Sequence, residues 1–154
     1  MTITRRAPDD AVAGAGEIAL TLDRLMRLHV SHSFKDALKP AQWDALRYFA
    51  NAPKSQRKIT AFARHRATTL GTASTTVSVL VGKGLLLRDY GTGMPRNLGL
   101  RVSAAGLAQL AHDPMAHLTA SIAALDPASR QSLYAALPKL VAGMAQVWHE
   151  ETGA

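Results

Sequence analysis

The chain has 154 residues, 47% hydrophobic and 5% aromatic, with a formal net charge of +7. That is enough apolar material for the core of one domain, and an alanine-rich chain this poor in aromatics points to helices packed on small residues rather than to a sheet sandwich. With no cysteine, disulfide stapling, thiolate catalysis and cysteine-based zinc sites are excluded.

The opening MTITRRAPDD has two arginines but no apolar stretch behind them, which is not the pattern of a secretory signal. No uncharged apolar run is long enough to span a bilayer. A soluble, cytoplasmic protein with no membrane partner is the expectation, and residues 1–13 read as a flexible N-terminus. Over 14–38, Ile18, Leu22, Leu25, Leu28, Phe34 and Leu38 recur at helical spacing and predict one long amphipathic helix. Pro40 suits the first turn of a second helix through Trp43, Leu46 and Phe49, which Asn51-Ala-Pro53 breaks. A third helix fits Ile59 to His65, and Ala67 to Gly71 read as a turn. A fourth helix fits Thr72 to Lys83, with Val77, Leu80 and Val81 as its buried stripe and Gly84 closing it. Leu85 to Arg88 and Leu98 to Val102 read as two strands joined by a Gly/Pro-rich turn. Ser103 is placed to cap a fifth helix reaching His112. Asp126-Pro127 opens the last helix, with Leu133, Leu137, Leu140, Val141, Met144 and Trp148 on one face. Pro138, inside that helix, should kink or split it.

Two short helices joined by a tight turn and followed by a hairpin describe a winged helix-turn-helix. The fold class is therefore mainly α with a small β-hairpin wing. The module occupies 39–112, and 14–38 and 113–150 form long end helices. Those end helices have more apolar face than a small module covers, so a second copy of the chain is the simplest partner.

Charge is distributed unevenly. Nine of the eighteen Lys/Arg but only one of the eleven Asp/Glu, Asp89, fall between Asn51 and Arg101. A block this one-sided suits a polyanion, of which nucleic acid is the commonest. In a winged helix-turn-helix the second helix of the motif enters the major groove. Thr72, Ala73, Ser74, Thr75, Thr76 and Ser78 are short enough to let it lie deep, with hydroxyls for phosphates or bases and methyls for thymine. Capping alone is the plainer explanation of such a hydroxyl-rich start. Lys54, Arg57, Lys58, Arg64, Arg66 and Arg88 are the candidate phosphate contacts. Arg96, with Asn97 beside it, is placed on the wing to probe the narrow minor groove.

These pieces together resemble a known family. Lys39-Pro-Ala-Gln-Trp-Asp-Ala-Leu46, Ile59-Thr-Ala-Phe-Ala63, Thr76-Val-Ser78, Lys83-Gly-Leu85, Arg88, Arg96 and Val102-Ser-Ala-Ala-Gly106 are similar, in order and spacing, to the MarR-type (multiple antibiotic resistance regulator) transcription factors. The resemblance spans roughly Leu38 to Leu110 and, more loosely, the end helices. It implies a homodimer built from both chain ends, binding pseudo-palindromic double-stranded operators as a transcriptional regulator, read here as a repressor. It also implies release of DNA by a small, often aromatic, effector bound where the dimer and DNA-binding regions meet. Met26, Phe34, Trp43 and Tyr48 are the candidates to line such a cavity, the alternative being that they fill the core and the dimer seam. The chain departs from the family at Met94, where the wing usually has an aspartate, and at Thr75, where the recognition helix often has an arginine.

Other chemistry finds little support. His29 and His32 are three apart, and His112 and His117 five apart, but few acids lie near them. Surface or interface histidines, with no metal and no cofactor, are the expectation. No Gly-rich phosphate loop follows a strand, and no hydrolase context surrounds a serine, so the chain is not read as an enzyme. Two binding alternatives stand beside the regulator: a sequence-indifferent nucleic-acid binder without effector, and a winged-helix module that contacts protein.

Overall fold

The computed structural model describes residues 14–90 and 99–153. In chain order these form α1 (Ala15–His32), α2 (Pro40–Asn51), a 3₁₀ turn (Lys54–Gln56), α3 (Ile59–His65), α4 (Leu70–Gly82), β1 (Leu86–Asp89), β2 (Gly99–Val102), α5 (Ala104–Leu110), α6 (Met115–Ala123) and α7 (Pro127–Thr152). The expected architecture is present: a mainly helical chain carrying one two-stranded antiparallel hairpin. Residues 1–13 and the wing residues Met94, Arg96 and Asn97 lie outside the described residues.

The core belongs to the central module alone. Trp43, Leu46 and Phe49 of α2, Phe62 of α3, Val77 and Leu80 of α4, and Leu86 and Leu100 of the hairpin form one buried cluster. Each such side chain stabilises the fold by about 1.5–3 kcal/mol through burial. By contrast, α1, α6 and α7 contain no buried residue. Leu20, Met26, Tyr134, Val141 and Met144 are all exposed on them.

Local chemistry explains the joints. The Lys39 amide donates to Gln42 Oε1 (3.0 Å), opening α2 with Pro40 in its first turn. The Thr69 hydroxyl accepts from the Thr72 amide (3.2 Å) and caps α4. Gly84, at φ +70°, closes it: the Gly84 amide donates to the Val81 carbonyl (2.9 Å) and the Leu85 amide to the Leu80 carbonyl (2.9 Å), a Schellman pair. The strands pair with Leu86 opposite Val102 and Arg88 opposite Leu100. Ser103 then fastens the end of the hairpin to the α4–β1 junction, donating its hydroxyl to the Gly84 carbonyl (2.6 Å) and accepting from the Gly106 amide (3.0 Å). Gly106 sits so close to this junction that an added Cβ would overlap the Leu85 carbonyl oxygen and come within 2.6 Å of Val102 Cγ1.

Four expectations about the elements are corrected. The first helix stops at His32 and does not run to Leu38. Ser33 ends it by donating its hydroxyl to the His29 carbonyl (2.7 Å), and Asp36 and Ala37 take left-handed conformations (φ 53° and 57°) incompatible with a helix. The fourth helix begins at Leu70, two residues early, because Thr69 caps it. A separate helix, α6, occupies Met115–Ala123, where no element was distinguished. Pro138 does not split the last helix, which is continuous from Pro127 to Thr152. An interior proline removes one donor to the carbonyl four residues back, and the 26-residue helix tolerates that loss.

Candidate nucleic-acid interface

Helix α4 is two-faced. Ala73, Thr76, Val77 and Leu80 point into the core, with Ala73 at 0% and Thr76 at 8% exposure. Gly71, Thr72, Thr75, Ser78 and Val79 are exposed, a set spaced to form one helical stripe. The placement therefore corrects two expected groove contacts, Ala73 and Thr76, whose side chains are spent on packing. The Thr76 hydroxyl donates to the Thr72 carbonyl (3.1 Å) inside the helix. Ser74 is half-buried at the edge of the stripe. Leu70 and Gly71 join the exposed face through the early helix start; the cap position of Thr69 is the sequence signal that marks them.

The hydroxyls on this face are already partly committed. The Thr75 hydroxyl donates to the Gly71 carbonyl (3.1 Å), and the hydroxyls of Thr69 and Thr72 lie 3.0 Å apart. With its donor turned into the helix, Thr75 presents lone pairs and a methyl group outward. Such a pair of groups has the chemistry to accept from an amino group and to pack against a methyl group.

The basic residues divide by what holds them. Lys54, Lys58, Arg64 and Arg88 are exposed, and none of them has a salt bridge to an acid within 4.0 Å among the described residues. Arg66 is paired with Asp44 of α2 (2.8 Å), so it braces the turn between α3 and α4. Arg57 donates Nε to the Ala52 carbonyl (2.8 Å), while its own carbonyl accepts from the Leu100 amide (2.8 Å), docking β2 against the segment that leads into α3. Both arginines are thereby tied into the structure, and each is half-exposed. Lys54, Arg57 and Lys58 face Asp89, Gly99 and Leu100 across a 380 Å³ cleft at the root of the wing. Arg101, opposite Leu87 in the ladder, adds an exposed cation on the hairpin that was not singled out as a contact.

The four candidate effector contacts do not come together. Trp43 is fully buried in the core. Tyr48 packs against Phe49, Phe62 and His65, and its hydroxyl donates to the Gln56 carbonyl (2.8 Å). Burial pushes its phenol up from the ordinary tyrosine range, against the opposing pull of Arg64. Met26 and Phe34, at 59% and 64% exposure, stand on the outside. Two other depressions exist near the end helices. One, of 120 Å³, lies between His29 and His32 of α1 and His117 of α6, with the His32 and His117 rings 5.7 Å apart. The other, of 550 Å³, lies between Ile122 of α6 and Leu133, Tyr134 and Leu137 of α7. Among the described residues no group of three or more His, Asp or Glu has a metal-holding arrangement, and no helix is long and apolar enough to cross a membrane.

No protein-family profile and no curated protein sequence matches the chain. Solved structures do. The chain is similar to the MarR family protein Rv2887 of Mycobacterium tuberculosis, solved with salicylic acid, at 21% identity and TM-score 0.61, over 84% of this chain and 98% of that one. It is similar to a probable transcriptional regulator from Pseudomonas aeruginosa at 24% identity and TM-score 0.59, over 80% and 96% of the two chains. The transcriptional regulator SlyA superposes with TM-score 0.69 at 13% identity, over 89% and 97%. The likeness covers 80% or more of this chain in each case, and it establishes the fold as a winged helix-turn-helix with long terminal helices.

Proposed function

We propose that the chain is a MarR-type transcriptional regulator, a homodimer that binds pseudo-palindromic double-stranded DNA and acts as a repressor. The observation that carries this reading is the exposed stripe of α4, in which Thr72, Thr75 and Ser78 face outward with no acidic side chain among them. That stripe enters the major groove. Lys54, Lys58, Arg64 and Arg88 hold phosphates, helped by the free ends of Arg57 and Arg66, and Arg96 with Asn97 reads the minor groove. Unpartnered apolar side chains on α1, α6 and α7 support the dimer. A small aromatic effector, of the kind the Rv2887 structure contains, releases the DNA.

The test selects duplexes from a random-sequence library with the purified protein and follows binding by fluorescence anisotropy across a salt series. A regulator favours its selected duplex over a scrambled one by about 10³-fold or more near physiological salt. Equal binding to both duplexes, lost steeply with salt, would leave a sequence-indifferent binder. No binding to either would leave a protein-contacting module. Sedimentation in the same buffer decides the dimer: a monomer at micromolar concentration would overturn it.

A further inference from the structure

The connection between α1 and α2 has an unusual backbone. The Leu38 amide donates to the Lys35 carbonyl (2.9 Å), and the two residues between them, Asp36 and Ala37, both have positive φ. That is the signature of a type I′ turn, whose preferred central pair is Asn-Gly. Aspartate is tolerated there, but alanine has a Cβ that disfavours the left-handed region. A turn of this kind persists only where its surroundings hold it. Leu38, at the end of the turn, is buried in the core, whereas Phe34 through Ala37 are exposed.

One contact reaches the turn from far along the chain. Lys83, the residue that ends α4, donates its Nζ to the Ala37 carbonyl at 2.6 Å. The donor is charged, which shortens the bond, and the bond lies at the surface. The Schellman closure at Gly84 immobilises the backbone beneath the lysine. The bond therefore links the C-terminal end of α4 to the carbonyl of the less tolerant turn residue, at the point where α1 joins the module.

We propose that Lys83 is a positioning residue: it clamps the Asp36–Ala37 turn and so fixes the direction of α1 relative to α4. Its consequence for DNA rests on the regulator reading above. If α1 belongs to the dimer and α4 to the groove, the clamp sets how far apart two α4 helices stand, which must match the 34–36 Å repeat of successive major grooves.

The experiment uses the full chain with Lys83→Met, Lys83→Arg, and Lys83→Met combined with Asp36→Asn and Ala37→Gly, which installs a turn stable by itself. Amide exchange at Leu38, measured without DNA, reports the turn. Anisotropy on the library-selected duplex and on a random duplex reports DNA. Lys83→Met is expected to speed Leu38 exchange by about tenfold or more and to weaken the selected duplex more than the random one. Lys83→Arg is expected to restore much of both, and the Asn-Gly turn to restore both without any cation at position 83. Unchanged Leu38 exchange in Lys83→Met would overturn the clamp. Equal loss on both duplexes, not rescued by the turn substitutions, would overturn its consequence for DNA and make Lys83 a phosphate contact. If the wild-type chain selects no duplex, the regulator reading falls on its own, and Leu38 exchange still decides the clamp.

Discussion

Asp113 and Arg47 form an ion pair at 2.7 Å across the gap between α2 and the α5–α6 junction, and the same Asp113 Oδ1 accepts from the Met115 amide at 2.8 Å. One carboxylate thus ties the central module to the first turn of α6. The Arg47 and Asp113 side chains are 22% and 14% exposed, so the pair is shielded from solvent far more than an ordinary surface bridge. Asp113→Ala removes both bonds and leaves Arg47 unpartnered. The expected cost is about 2–4 kcal/mol, measured as a shift in the urea midpoint at constant slope. A change below about 0.5 kcal/mol, the size of an exposed pair, would show that the junction is held by packing instead.

Gly106→Ala should be among the most damaging single-methyl substitutions in the chain. The new Cβ meets the Leu85 backbone carbonyl and Val102 Cγ1 (2.6 Å), and backbone cannot swing aside as a flexible side-chain end can. Overpacking of this kind costs about 1–3 kcal/mol, and here it also disturbs the Ser103 cap. Thermal unfolding followed by circular dichroism checks it: a melting temperature equal to wild type would mean that the α5–hairpin contact is looser than described.

Position within α4 separates the outward face, proposed above for recognition, from the packed one. Thr75→Val keeps the shape and removes the exposed hydroxyl, so it should alter base preference in library selection, by about 1–3 kcal/mol at the affected base pair, with little change in stability. Ala73→Val enlarges a fully buried side chain and should destabilise by about 1–3 kcal/mol while leaving the selected sequence the same. If Ala73→Val changed the selected sequence and Thr75→Val did not, the inward and outward faces of α4 would have been assigned the wrong way round.

Asp126 caps α7, accepting from the Ser129 hydroxyl (2.6 Å) and the Ser129 amide (3.0 Å). Those bonds, the hydroxyl first, hold its carboxyl below the ordinary aspartate range. A group depressed in the folded state contributes stability above its unfolded titration, and that contribution is lost as pH falls through the folded one. Asp126→Ala should therefore melt below wild type at pH 7. The gap should narrow as pH drops below about 4. A gap independent of pH would assign the effect to helix propensity and not to the carboxylate.

Most of the module was legible in the sequence because its signals are local. Pro40, Ser103 and Gly84 each dictate a backbone position through one side chain, and the apolar spacing of α2 and α4 is set by a core inside the same module. The end of α1 was not legible. Phe34 and Leu38 continue the apolar period past His32, but the chain leaves the helix there for a turn whose central residues, Asp36 and Ala37, do not advertise a positive φ. Helix α6 was overlooked because Asp113-Pro114 reads as a break, whereas the Asp113 carboxylate starts a new helix. The candidate site was legible as a region and not residue by residue. Hydroxyl composition marked Thr72 to Ser78, yet only helical phase separates Thr75 from Thr76, and the phase depends on a start at Leu70. The effector candidates are separated for a related reason: Trp43 satisfies the core, the alternative its size left open.

Helices α1, α6 and α7 bury no residue within their own chain. In the dimer proposed above a second copy covers them, and stability that comes from a neighbour rises with the amount of protein present. The active species would be a second-order product of the chain. Halving the supply in a cell would remove more than half of what can sit on an operator, and a gene under its control would respond more steeply than in proportion to regulator dose.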